Sequence, residues 1–147
     1  MGGIYVLVLE VSPTTSEVEV GALGTLEFTG TYAYVGSALG SGGFARVDRH
    51  RELAAGERDT RHWHIDYLLG HPETTLEGVV CFPGDDRECH LARTLPGEPV
   101  AGFGASDCDC VGHLLETDVK RVLEAAIDCG GVVDDGAIAG RERVKNG

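Results

Sequence analysis

Apolar residues arrive along this chain in two rhythms. Gly3–Val11 is a nearly unbroken apolar run rich in β-branched and aromatic residues, which predicts a buried strand. Ser12-Pro13-Thr14-Thr15 reads as a turn. Glu17–Val20 then alternates polar and apolar, as a half-exposed strand does, and Gly21-Ala22-Leu23-Gly24 reads as a turn or bulge. Alternation resumes at Thr25–Phe28, and Thr31–Val35 is the next predicted strand. Short strands so closely spaced predict a small antiparallel sheet.

The rhythm changes after the glycine-rich turn Gly40-Ser41-Gly42-Gly43. Phe44, Val47 and Leu53 have helical spacing, and His64–Leu69 reads as a second, short helix. Thr75–Phe82 is a predicted strand, broken by Pro83-Gly84-Asp85, and Asp86 is placed to cap a helix running to Leu95. Pro96–Asp107 is loop-like, and Val111–Leu115 is a last predicted strand. Asp118–Cys129 predicts a helix with Val119, Val122, Leu123, Ala126 and Ile127 on one face. From Gly130 the chain is glycine-rich and charged, and a mobile tail over 130–147 is expected. The expected fold is α+β: a small antiparallel β-sheet flanked by helices, in one domain over residues 1–129.

Composition narrows the setting. The longest early apolar segment, Ile4–Leu9, is too short to span a bilayer and has no basic flank, so a cytoplasmic protein with no membrane partner is expected. Five cysteines, an odd number, do not suggest a secreted disulfide framework. Net charge is −12, the wrong sign for a protein that binds phosphates. Of the 12 basic residues, however, only Lys120 and Lys145 are lysines. An acidic, lysine-poor surface suits concentrated salt, where at about 1 M the Debye length is roughly 3 Å and distant acidic groups hardly repel a polyanion. The basic residues also cluster. None precedes Arg46, and Arg49, Arg51, Arg58 and Arg61 follow it, interleaved with His50, His62 and His64. Such a local patch can outweigh net charge for a ligand that touches it.

Several motifs carry chemistry. Gly3-Ile4-Tyr5 opens the first apolar run and Tyr34-Val35-Gly36 closes a later one, with Arg46-Val47-Asp48-Arg49-His50 beyond the glycine turn. Two tyrosines on neighbouring strands, with an Arg/His pair four apart on the next helix, suit phosphodiester cleavage. These motifs resemble the GIY-YIG nuclease superfamily. The resemblance is closer to the small stand-alone DUF123 or Uri-like branch. It is carried by Tyr34–Gly40, by His62-Trp63-His64-Ile65-Asp66-Tyr67-Leu68, by Glu88-Cys89, and by Gly102-Phe103-Gly104-Ala105-Ser106-Asp107-Cys108, in order. The two tyrosine motifs are farther apart here than in the wider superfamily, leaving room for an added strand pair. Together with the composition, the resemblance suggests a salt-adapted archaeon.

The resemblance implies a metal-dependent endonuclease acting on DNA, with a role in repair or processing. Tyr34 is the candidate proton acceptor for the attacking water, with Tyr5 positioning the water or phosphate. Arg46 would stabilise phosphoryl charge, and His50 would orient Tyr34 or donate to a phosphate. In the resembled superfamily a single glutamate on a later helix holds the metal, here Glu88 with Mg²⁺ or Mn²⁺. Asp85 and Asp86 compete for that role, and Asp66 is a possible second ligand. Arg49 is a rival for the role of Arg46. Arg49, Arg51, Arg61, His62 and His64 are candidate nucleic-acid contacts. Trp63 reads as a core anchor or a base-stacking platform. Cys108 and Cys110, with His113 and with Cys89 or His90, invite a zinc site, but a one-residue gap is awkward and a buried thiol pair is the plainer reading. The alternative function is a non-catalytic nucleic-acid-binding module that keeps the fold.

Overall fold

Two long strands carry the architecture. In the computed structural model, which describes residues 2–20, 23–38, 43–57, 64–71, 74–84, 87–100, 103 and 112–133, β1 (Gly3–Glu19) and β2 (Thr25–Ala38) form one antiparallel hairpin. The turn expected at Ser12–Thr15 does not occur. β1 continues through it with a break in register: Val11 faces Gly30 and Ser16 faces Phe28, so residues 12–15 stand opposite Thr29 alone. Pro13 has no N–H for a ladder, and a bulge absorbs it without ending the strand. The two strands expected over 25–35 merge into β2.

The remaining elements are α1 (Ala45–Ala54), α2 (His64–Leu69), β3 (Thr74–Pro83), α3 (Glu88–Thr94), β4 (Glu98–Pro99), β5 (Leu114–Thr117), α4 (Val119–Asp128) and β6 (Val132–Val133). Among the described residues every ladder is antiparallel, and the strand order is β4-β5-β2-β1-β3-β6. The fold is therefore α+β, with helices on an antiparallel sheet. Three local expectations are corrected. Glu98–Pro99, expected in a loop, pairs with β5. Arg87, not Asp86, precedes α3, and it makes no side-chain cap bond; Asp86 lies outside the described residues. Val132–Val133, assigned to the tail, pair with β3, while 134–147 lie outside the described residues. At α4 the Asp118 side chain accepts from Arg121 N at 3.0 Å, a conventional N-cap. No helix among the described residues is long and apolar enough to cross a membrane.

Both faces of β1 are buried, which explains its unbroken apolar run. Tyr5, Leu7, Leu9 and Val11 join one core cluster with Val47 and Leu53 of α1 and Ile65, Leu68 and Leu69 of α2. Ile4, Val6 and Val8 join another with Leu91 and Ala92 of α3, Leu95 just beyond it, and Val122 and Ala126 of α4.

Candidate active site

The strand register places the two tyrosine motifs. Tyr5 faces Gly36 and Leu7 faces Tyr34, so the tyrosines are diagonal neighbours on the face covered by α1 and α2. Their ring centroids are 6.4 Å apart. Gly36 is needed on steric grounds, since a Cβ there would stand 2.5 Å from the Tyr5 hydroxyl oxygen. The glycine closing Tyr34-Val35-Gly36 thus leaves space for the Tyr5 ring to lie across β2.

From α1, His50 reaches this pair. Its Nε2 is 2.7 Å from the Tyr5 hydroxyl, and the ring has no exposed surface. The expectation that His50 orients Tyr34 or touches a phosphate is corrected, because its bond is to Tyr5 and it lies beneath the surface. Arg46, half-buried, donates from Nη1 to the Ser37 carbonyl at 2.6 Å, which tethers its guanidinium to the end of β2. Arg49 directs both arms of its fork at Asp66, at 3.0 and 2.9 Å. Asp66 is fully buried and the Arg49 side chain only 15% exposed. Two readings are corrected by this ion pair: Arg49 serves an internal carboxylate rather than a nucleic-acid backbone, and Asp66 is not open to a metal.

Arg51 turns elsewhere. It pairs with Asp48 at 3.3 Å and lines a cavity of about 360 Å³ between the end of α1 and β3, with Ala54, Thr74, Leu76 and Val79. Leu76 pairs with Leu9, whereas Tyr5 pairs with Cys81, so the cavity lies along the sheet from the phenols. His64 packs its half-buried ring at 5.6 Å from Phe103, and Phe103 packs at 6.2 Å from Tyr34. Arg61, His62, Trp63, Asp85, Cys108 and Cys110 lie outside the described residues.

Glu88 opens α3 and its side chain is 31% exposed. Its Oε2 accepts from Nδ1 of His113 at 3.2 Å. His113 is buried and held by its backbone, which accepts from Val35 N at 2.9 Å and donates to Phe103 O at 2.7 Å. The sequence pointed His113 toward the cysteines instead. No local pattern joins it to a glutamate 25 positions earlier. Among the described residues, no three of His, Cys, Asp and Glu gather to hold a metal. A lone, partly exposed carboxylate fits a hard cation that keeps most of its waters, as Mg²⁺ does.

Electrostatics sets the resting protonation. Burial raises the pKa of Tyr34, and the charges of Glu88 and Asp66 raise it further, against a smaller lowering by Arg46. Burial, and then the neighbouring Tyr34, push Tyr5 well above its ordinary value; Arg46 opposes this, and Glu88 and Asp66 add to it. Both phenols are protonated at rest, so Arg46 alone does not make Tyr34 a phenolate, as a base role for Tyr34 would require. Burial lowers His50 to about 4, with Asp66 pulling up and Arg49 and Arg46 pulling down, so the imidazole is neutral at neutral pH.

A family profile described as "Domain of unknown function DUF123" matches residues 4–131. The chain belongs to the DUF123 family. No curated protein and no solved structure matches it. Tyr5, Tyr34, Arg46, His50, Asp66, Glu88 and His113 all fall within the DUF123 match.

Proposed function

We propose that this DUF123 domain is a metal-dependent endonuclease that hydrolyses DNA phosphodiester bonds, of the GIY-YIG type its motifs resemble. One observation carries the reading: two phenols from β1 and β2 share one electrostatic neighbourhood with the guanidinium of Arg46 and the carboxylate of Glu88. These groups supply what the reaction needs, a proton path for the attacking water and charge for the phosphoryl oxygens.

The roles follow from the contacts. Tyr5, not Tyr34, takes the water proton, because Tyr5 has a base behind it, His50 at 2.7 Å. As the water oxygen bonds to phosphorus, its proton passes to the Tyr5 oxygen and the phenolic proton of Tyr5 passes to His50 Nε2. The P–O bond to the leaving oxygen breaks, and that oxygen takes a proton from solvent. Arg46, tethered through Ser37, faces the phosphoryl oxygens. Tyr34 packs beside Tyr5 and positions the phosphate or the water. Glu88, steadied by His113, would hold Mg²⁺ or Mn²⁺. The bound cation would supply positive charge at the leaving oxygen. His64, beside the aromatic cluster of Phe103 and Tyr34, and Arg51, in its exposed pair with Asp48, are the remaining described candidates for a nucleic-acid contact. The lysine-poor acidic composition suits an enzyme working in the salt-rich cytoplasm of an archaeon, and the resemblance implies a role in DNA repair or processing.

A specific observation favours a second reading. Tyr5 is 2% exposed and Tyr34 8%, as in a module that keeps the fold for binding alone. A cleavage panel separates the two. Single-stranded, duplex and branched DNA are offered across salt concentrations with Mg²⁺ or Mn²⁺, to the wild type, Arg46→Ala and Glu88→Gln. The nuclease reading expects cleavage by the wild type, its loss with a chelator, and a drop of about 100-fold or more in each variant. Binding without cleavage under every condition would leave the module.

A further inference from the structure

The buried carboxylate of Asp66 is not used in the roles above. It projects from α2, a short helix, into the space between α1 and the sheet, where it has no exposed surface. Arg49 accounts for its charge through two bonds. Burying such a pair is seldom worthwhile for stability alone, since well-packed apolar residues do as well. What distinguishes this pair is its third neighbour. Asp66 Oδ1 is 3.9 Å from Nδ1 of His50, whose opposite nitrogen meets the Tyr5 hydroxyl. The separation is too long for a hydrogen bond but short enough for the carboxylate to bias which ring nitrogen carries the proton.

We infer that Asp66 is a positioning residue for the proposed cleavage: acting from α2, it holds the neutral His50 ring in the tautomer protonated at Nδ1, which leaves Nε2 to accept the Tyr5 phenolic proton. This inference rests on the nuclease reading for its purpose but not for its geometry. Among the described residues, groups from β1, from α2 and from α1 itself face His50. Tyr5 comes from β1 and packs against Tyr34 of β2; Arg46 and Arg49 come from α1 itself, and Asp66 from α2. Of the charged groups among the described residues, Asp66 favours a proton on the ring and both arginines oppose it. When His50 becomes an imidazolium during cleavage, Asp66 is the counter-charge beside it. Arg49 keeps the resting carboxylate paired, so His50 stays neutral until a proton arrives from Tyr5. The logic parallels the aspartate of a Ser-His-Asp triad, which sets tautomer and orientation without itself becoming protonated.

Two measurements on the full chain test this. The first is ¹⁵N NMR of the histidine side chains at neutral pH, with His50 assigned by comparison with His50→Gln. The wild type is expected to show His50 protonated at Nδ1, and Asp66→Asn to shift it toward the Nε2-protonated form. A wild-type ring protonated at Nε2 would overturn the inference without any cleavage assay, and this holds even if the variant does not fold. The second is cleavage by Asp66→Asn. The turnover number is expected to fall about 100-fold or more while KM for DNA stays unchanged, because a side chain with no exposed surface cannot touch substrate. Unchanged turnover in a folded Asp66→Asn would also overturn it. If the wild type cleaves nothing yet the tautomer depends on Asp66, the nuclease reading fails and the positioning of His50 stands.

Discussion

Each face of the sheet is closed by a pair of helices, yet the two faces are built differently. Beneath α3 and α4 the core is a hydrocarbon cluster, Ile4, Val6, Val8, Val35, Val80, Phe82, Leu91 and Val122 among it, and the buried polar group met there is His113, bonded to Glu88 at the start of α3. Beneath α1 and α2 the same strands bury Tyr5 and Tyr34, and the helices add His50 and the Asp66 carboxylate. That face demonstrates that this chain can cover a sheet chiefly with hydrocarbon. Polar groups on the opposite face cost desolvation that a hydrocarbon core avoids. In the proposed reading the reaction needs them, and they lie where Arg46 and Glu88 exert their charges.

Substitutions can break or sharpen this contrast. The largest effect on stability is expected from Leu91→Ala, which empties a fully buried position on the apolar face and should cost about 2–5 kcal/mol in denaturant unfolding. The rate per folded molecule should change far less than the stability, which separates hydrocarbon packing from the chemistry of Glu88 at the start of the same helix. The second effect depends on pH. His50 is neutral in the fold down to about 4, while the unfolded imidazole protonates near its ordinary value of 6.5. Stability from this residue is therefore full above about 6.5 and falls as pH drops toward 4, by about 3 kcal/mol in total. Urea midpoints across that window should show the loss in the wild type and a reduced loss in His50→Gln.

Gly36→Ala should come next, at about 1–3 kcal/mol, because the new methyl meets the Tyr5 ring. Displacing that ring from His50 should lower cleavage by more than the stability change accounts for, as single-turnover rates beside thermal melts would reveal. The smallest effect is expected at the α4 cap, where Asp118→Ala loses a bond to Arg121 N and about 1 kcal/mol, with no change in cleavage.

Elements with a strong local signature were legible from the sequence. α4 has a capping aspartate and a periodic apolar face, and it forms within a residue of its expected limits. α2 and β3 likewise match their patterns closely. Ser12-Pro13-Thr14-Thr15 misled because turn residues also fit a bulge, and only the partner strand decides between them. At the site, the motifs pointed to Tyr5, Tyr34, Arg46, His50 and Glu88 but not to their partners. That His50 bonds to Tyr5 and not Tyr34 depends on β1–β2 register and on how α1 sits over it. The commitment of Arg49 to Asp66 joins two helices through residues 17 apart, and that of Glu88 to His113 spans 25. Neither spacing has a local signature. The burial that keeps both phenols protonated is likewise a property of the packed fold.

The most direct measurement is the single-turnover cleavage rate of Tyr5→Phe, beside Tyr34→Phe and the wild type, on a DNA substrate with Mn²⁺ at saturating protein. The predicted result is a loss of about 100-fold or more for Tyr5→Phe and a smaller loss for Tyr34→Phe, with melting temperatures close to wild type. A folded Tyr5→Phe that cleaves at the wild-type rate would contradict a phenol–imidazole proton path at the centre of the site.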